Sequence, residues 1–286
     1  MKTLRPMGGK VLYFLLVVVA LLVIYAPVVW LFLASISTRA DLLATPPRWI
    51  PAHPTLKNYL DILVPGTAVS EVARTFKITL GNSLLVALTT TAISLVIGSL
   101  AAYALARLRL PFRNAVFFGV LSVRMIPEIS LVIPLYIIAA RLSILNKPIV
   151  LILTYLSFAL PFTIWMLTTF FETVPEELED AALIDGSSRL NTLFRVVIPV
   201  ATPGIISTAL FTFLLAWDEF FFALIFTSTV AAKTVPVAIA EFTGRYAVDI
   251  TAMMTGGLLA ALPPVLLALI FQRFIVSGLS AGAVKG

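Results

Sequence analysis

The chain contains no cysteine and a single histidine, His53, in its 286 residues. The first absence excludes disulfides, thiolate nucleophiles and thiolate metal sites. The second leaves neither a histidine-based zinc site nor a serine hydrolase triad to assemble. His53 lies in a proline-rich stretch and reads as a solvated loop residue. No G-x-x-x-x-G-K-[ST] run occurs, so any nucleotide chemistry belongs to another polypeptide. Charge is scarce as well: Asp, Glu, Lys and Arg together make up 12% of the residues, against 60% hydrophobic, with a mean hydropathy of +1.06. That balance lies outside the range of soluble domains and fixes the class as an integral membrane protein. Neither an internal repeat nor a low-complexity tract is visible.

A helix needs about 20 apolar residues to cross the hydrocarbon layer. Six runs meet that length: residues 11–37, 78–106, 114–140, 148–171, 204–226 and 251–275. The first is uncharged and too long for a cleaved signal peptide, despite the basic start at Lys2, Arg5 and Lys10, so it is expected to stay as an anchor. Six spans place both termini on one side. Lys and Arg in short loops resist translocation; Lys2, Arg5 and Lys10, with Arg107, Arg109 and Arg113 after the second run, favour cytoplasmic termini. The segment 38–77 counts against this with Arg39, Arg48, Lys57, Arg74 and Lys77, although its length and its acids Asp41, Asp61 and Glu71 dilute that vote. Within it, residues 46–54 read as a stiff extended outer segment, with Trp49 and Tyr59 as candidate interfacial anchors.

The polar stretch 174–203 is longer and more patterned than a simple connector. Thr173 and Glu176 have the spacing of a capping box, with Pro175 in the first turn, so a helix is expected to begin there. Glu176, Glu177 and Glu179 set negative charge near the positive end of its dipole, and Leu178, Ala181 and Ala182 form a small apolar face. Gly186 is placed to end this helix in a left-handed residue, and Ser187 or Ser188 to cap a second one. That second helix carries Leu190, Leu193, Phe194 and Val197 as one stripe, and Pro199 and Pro203 stop it. The expected product is a protruding helix-turn-helix with an acidic tip, suited to a basic groove on a partner.

Asp180-Ala181-Ala182, three residues, Gly186, then Val196, Ile198 and Pro199 resemble the cytoplasmic coupling loop of the permease subunits of binding-protein-dependent ABC sugar importers, of the maltose and glycerol-phosphate type. The chain departs from that pattern at Asp180 for the usual Glu, at Ser187 where Ala is common, and at Val196 for Ile. Trp217-Asp218-Glu219-Phe220 and the tail from Gly278 to Gly286 add to the resemblance in the same order. It implies one transmembrane domain over residues 1–286: an all-α fold of six transmembrane helices, an outer loop at 38–77, the cytoplasmic coupling loop at 174–203 and a cytoplasmic tail at 272–286. It also implies a bacterial inner-membrane location and import of a sugar or sugar derivative by alternating access. The partners implied are a second homologous permease chain, two ATPase subunits holding ATP and Mg, and a periplasmic or lipid-anchored solute-binding protein. The chain itself would hold no cofactor or metal and would not be an enzyme. Glu176, Glu179, Asp180, Ala181, Ala182, Asp185, Gly186 and Pro199 would carry the contact with the ATPase. A polyol, glycerol phosphate or a peptide is the alternative cargo, and proton-coupled secondary transport through membrane carboxylates the alternative mechanism.

Charges inside the apolar runs cost roughly 2.5–3.5 kcal/mol each on insertion scales. Arg124 and Glu128 lie one helical turn apart in the third run, around Pro127, and Asp218 and Glu219 lie in the fifth. Mutual neutralisation at i, i+4 is one reading; a water-filled solute path lined by Arg124, Glu128, Trp217, Asp218 and Glu219 is the other, with Arg124 favouring an anionic sugar. Trp217 would stack on a sugar face or serve in packing. Ser94, Gly98, Ala102 and Ala106 recur every four residues as a close-packing stripe. Pro127, Pro134, Pro161, Pro263 and Pro264 are expected to bend or unwind their helices, and the segment 227–249 is too polar for a seventh span.

Overall fold

The computed structural model describes residues 7–46, 48–64, 71–243 and 249–283, and these are helical with short connections. Four helices are by themselves long and apolar enough to cross a membrane: Leu12–Ser35, Ala73–Arg107, Pro148–Phe171 and Ile250–Phe274. Two bent pairs bring the number to six if each counts as one span. Two compact units are present, one built from residues 1–77 and 239–261, the other from 78–238 and 262–286.

In the first unit, α1 (Met7–Ser35) is followed by α2 (Arg39–Leu42) and α3 (Lys57–Leu63), and then by the first turns of α4 (Glu71–Arg107). Part of the expected outer loop is therefore helix. Its helix α3 folds back on the end of α1: Asn58 donates to the carbonyls of Ser35 (2.8 Å) and Ser37 (3.0 Å), and the Tyr59 hydroxyl bonds Ser35 Oγ at 2.6 Å. Tyr59 is thus used internally, whereas Trp49 is exposed and meets the edge of Trp30 at 5.1 Å. The Thr38 hydroxyl donates to Asp41 (2.8 Å) and accepts from its amide (3.2 Å), a reciprocal cap on α2 that holds the Asp41 carboxyl below its usual range.

The second unit holds the rest of α4 and nearly everything that bears on function. The third apolar run is not one helix. α5 (Arg113–Ser122) ends in a tight 3-10 turn, Ile126 and Pro127 are extended (ψ 122° and 127°), and α6 (Glu128–Arg141) leaves at 89° to the first part. Pro127 causes this, because its ring forces the residue before it out of the helical region and it has no N–H to continue the ladder. Pro134, in α6, and Pro161, in α7 (Pro148–Phe171), sit inside unbroken helices. The small-residue stripe of α4 packs on α7: Ser94 and Ala102 are buried, and a Cβ on Gly98 would lie 2.7 Å from Thr163 Cγ2. Thr163 is buried and tied to Ala159 O (2.9 Å) and Thr212 Oγ1 (2.9 Å), so it has no room to retreat. Gly98→Ala should therefore destabilise the protein by about 1–3 kcal/mol through overpacking, which outweighs its helix-propensity gain of about 1 kcal/mol. A thermal-unfolding midpoint at or above the wild-type value would contradict this packing.

After the stretch 174–203, α11 (Thr202–Trp217) packs along α7, ends at Asp218, and is followed by α12 (Phe221–Phe226), so the fifth run is also interrupted. The interruption has a local cause: the Glu219 carboxylate accepts the amides of Phe222 (2.8 Å) and Ala223 (3.2 Å), starting a new helix instead of continuing the old one. α13 (Val235–Glu241) buries Val235, Val237 and Ala238. Ahead of it, Asn146 Oδ1 accepts from Ser228 and Thr229 while Asn82 donates to the carbonyls of Val230 and Lys233. α14 (Ile250–Ala283) runs unbroken through Pro263 and Pro264 and beyond the expected sixth run. The last residues of the predicted tail, 284–286, lie outside the described residues. One apolar core joins α4, α7, α11 and α12 through Val86, Leu151, Tyr155, Phe213, Trp217 and Phe222. A second forms under the hairpin from Tyr103, Leu167, Phe171, Val174, Leu193 and Val197.

Candidate functional site

The hairpin begins with α8 (Glu176–Ile184), which opens one residue later than the sequence suggests, with Pro175 just outside the helix. No capping box forms, because the Thr173 hydroxyl donates back to Phe170 O at 2.7 Å and the Glu176 carboxylate turns toward Arg107 at 3.5 Å. The stop is as expected. Gly186 has φ +87°, its amide donates to Leu183 O (3.1 Å), and the Ser187 amide donates to Ala182 O (3.0 Å). These two bonds close a Schellman turn around a left-handed residue. Ser188 then caps α9 (Arg189–Thr192) by accepting the Asn191 amide at 3.3 Å.

The second half of the hairpin departs from the predicted single helix. α9 runs into a π-helical turn, Leu193–Val197, then α10 (Ile198–Val200), and the chain bends by 84° into α11, with Pro199 and Pro203 each in a first turn. The expected stripe divides along its length: Leu193 and Val197 are fully buried, whereas Leu190 and Phe194 are each 59% exposed. The four side chains lie on one broad helical face, and the core beneath is wide enough to cover only one edge of it.

The hairpin root is tied down by a residue that sequence reading used only to orient the chain. Arg107, the last residue of α4, donates through Nε to Glu179 Oε1 (2.5 Å) and through Nη2 to Phe171 O (2.7 Å) and to the Val174 carbonyl. The other Glu179 oxygen accepts the Tyr103 hydroxyl at 3.0 Å. Arg107 and Glu179 side chains are only 7% and 3% exposed, so removing either partner strands a buried charge, at a cost of about 3–5 kcal/mol. A cation at the C-terminus of α7 also complements its dipole. The sequence signal was present: an arginine ends an apolar run, with a tyrosine one turn before it. Beside this cluster Arg113 bonds Leu105 O at 2.5 Å and pairs with Glu172, half-exposed.

Of the residues expected at the partner contact, Glu176, Asp180, Ala181, Asp185, Gly186 and Pro199 are exposed, Ala182 is half-buried, and Glu179 points inward. The outer surface carries Leu178 of the expected small apolar face at 45% exposure and adds Ile184, which the sequence reading did not single out, at 86%.

Elsewhere in the same unit, a cavity of about 620 Å³ is lined by Arg124, Glu128, Asp218 and Glu219, by Ser157, and by six phenylalanines including Phe158, Phe162 and Phe222. Two chain breaks produce it, since the bend at Pro127 and the interruption after Trp217 bring polar residues of α5–α6 and α11–α12 to one place. Among the described residues Arg124 makes no ion pair with Glu128; its guanidinium lies 5.2 Å from the centre of the Phe162 ring. The bend at Pro127 removes the helical i, i+4 geometry that such a pair needs. Trp217 is not among the lining residues: it is buried in the core and stacks on Phe213 at 5.5 Å. Three carboxylates, one guanidinium and aromatic walls can hydrogen-bond hydroxyl groups and cover an apolar sugar face. Among the described residues no cluster of metal-ligating groups occurs.

A family model described as the binding-protein-dependent transport system inner membrane component matches residues 94–281. The permease protein SmoH of the sulfoquinovosyl glycerol transport system of Agrobacterium fabrum is 38% identical over 98% of this chain and 95% of its own length. The permease protein MalG of the trehalose/maltose transport system of Thermococcus litoralis is 37% identical over 91% of each chain. In three dimensions the fold is similar to a chain of a bacterial ABC transporter involved in import of the acidic polysaccharide alginate, with a TM-score of 0.79 at 17% identity, covering 96% of this chain and 98% of that one. The family model covers more than half of the chain, and the chain belongs to the family of binding-protein-dependent transport system inner membrane components.

Proposed function

We propose that this chain is the membrane permease subunit of an ATP-driven importer for a sugar or sugar derivative, and that its hairpin receives the motion of a separate ATPase. The observation that carries this reading is the hairpin itself. Its root is buried and hydrogen-bonded to α4 and α7, while its outer surface presents the acids Asp180 and Asp185 beside exposed Leu178, Ile184, Leu190 and Phe194. A patch of apolar groups rimmed by charge is the composition of a protein docking surface. The chain has no phosphate-binding loop of its own, so ATP and Mg belong to the docked partner.

In this reading two permease chains and two ATPase subunits form the complex, and a solute-binding protein delivers cargo from outside. The termini and the hairpin face the cytoplasm, in keeping with Arg107, Arg109 and Arg113 beside it. Closure of the ATPase pair on ATP rocks the helices between two arrangements and exposes the cavity to each side in turn. The named cargoes of the similar permeases, sulfoquinovosyl glycerol and trehalose/maltose, support a sugar as solute. Reconstituted in liposomes with its native partners, the complex should accumulate sugar on addition of ATP and binding protein. Uptake driven by a proton gradient without ATP would overturn the proposal.

Arg124 sets the expected charge preference, since among the described residues it forms no ion pair and its guanidinium faces the Phe162 ring. Arg124→Gln should lower uptake of a sulfonated glycoside about tenfold, the value of one charge-assisted hydrogen bond, and leave a neutral sugar little changed. Equal effects on the two solutes would show that Arg124 does not select charge.

A further inference from the structure

We infer that Arg107 is a positioning residue that carries movement of the hairpin into the helix bundle, through a buried two-point link between α4 and Glu179. The inference rests on the permease reading above and identifies one element inside it.

A single guanidinium here meets three helices. Arg107 ends α4, Phe171 ends α7, and Glu179 lies in α8; Nε bonds the carboxylate at 2.5 Å while Nη2 takes the carbonyls of Phe171 and Val174. Glu179 in turn uses both oxygens on α4, one for Arg107 and the other for the Tyr103 hydroxyl a turn earlier at 3.0 Å. One contact would leave a pivot. Two, set a helical turn apart, resist both sliding and rotation of α8 against α4.

Burial makes the link hard to open. Water cannot replace either partner at side-chain exposures of 7% and 3%, so separating them leaves two desolvated charges. The surrounding contacts are of another kind. Leu167, Phe171, Leu193 and Val197 supply apolar packing, which is non-directional and tolerates sliding. Arg113–Glu172 ties the chain after α4 to the end of α7, is about 40% exposed on both sides, and does not involve α8. Among the described residues the α8 side chains hydrogen-bonded to α4 are Glu176 and Glu179, and Glu176 is 78% exposed at 3.5 Å. Force applied at the exposed tip of α8 therefore reaches α4 chiefly through Glu179 and Arg107, while the end of α7 is joined to α8 directly by residues 172–175. Without that link the apolar contacts keep the hairpin in place but let it shift without drawing α4 along.

The test uses the complete importer in liposomes, with solute uptake and ATP hydrolysis measured together. Glu179→Gln keeps the shape and removes the charge. The double variant Arg107→Met/Glu179→Met fills the buried site with apolar side chains of similar volume, which preserves folding while abolishing the directional bonds. The double variant should assemble with the partner subunits and hydrolyse ATP while moving at least about fivefold less solute per ATP than the unmodified complex, whereas Glu179→Gln, which strands the Arg107 charge, should lower assembly as well. A purely structural role gives a different result: the methionine pair would then restore uptake per ATP along with assembly. Normal stoichiometry in the double variant overturns the role of Arg107 alone, whereas absence of ATP-driven uptake in the unmodified complex overturns the permease reading and this inference with it.

Discussion

Replacing Gly186 with valine is expected to lower solute uptake tenfold or further while leaving membrane insertion intact. The reason is confined to the backbone. A Cβ at this position would meet nothing within 4 Å, so no steric clash with neighbours arises. What changes is the φ of +87°, which closes the turn between the two halves of the hairpin. An L-residue in this region costs about 1–2 kcal/mol, and a β-branched one more, enough to shift a local equilibrium tenfold or further from the native turn. The Gly186 and Ser187 amides then lose their carbonyl partners on Leu183 and Ala182, and the exposed tip no longer holds its shape for a docking partner. Asparagine tolerates the left-handed region, so Gly186→Asn should retain most activity and Gly186→Ala should fall between the two. Initial uptake rates at matched membrane levels check the order. Valine transporting as well as asparagine would separate the turn from transport altogether.

A large loss of stability is expected from Phe222→Ala. Phe222 is 1% exposed, stacks on Phe158 at 6.5 Å, and touches Phe221 and Phe226 at ring distances of 5.7 Å. Truncating a buried phenylalanine costs about 3–5 kcal/mol in soluble proteins. Within a bilayer, exclusion from water contributes little between helices, so the cost here comes mostly from lost dispersion contacts and the void left behind, and should fall near 3 kcal/mol, at the lower end of that range. For a chain of this size that corresponds to a lowering of the thermal midpoint by about 10 °C. Phe118, 66% exposed on α5, is the natural control, and its alanine variant should barely move. Equal midpoints for the two variants would show that the α7–α12 aromatic contact does not hold the unit together.

Much of this protein was legible before any coordinates. The apolar runs, the glycine stop at Gly186 and the cap at Ser188 each depend on interactions between residues a few positions apart, which sequence spacing encodes directly. The small-residue stripe of α4 is legible for the same reason, because a period of four marks one helical face. The breaks were harder. Pro127 splits its helix while Pro134 and Pro161 sit inside theirs, and no local rule separates the cases. Glu179 could not be told apart from its acidic neighbours by pattern alone. Its direction is decided by Arg107 and Tyr103, more than seventy residues earlier in the chain. The cavity is of the same kind, assembled from Arg124 and Glu128 at one interruption and Asp218 and Glu219 at another.

The sequence by itself determined that the chain is a helical membrane protein without cysteine or a G-x-x-x-x-G-K-[ST] run, and that residues 174–203 form a glycine-hinged hairpin. These follow from composition and short-range spacing, which need no knowledge of which helix lies beside which. Only the tertiary structure decided that Glu179 faces inward, that Arg107 joins three helices, that Trp217 belongs to the core and that Arg124 lies over the Phe162 ring. A charged or aromatic side chain takes its role from the partner that desolvates it, and that partner is brought by packing from a distant part of the chain.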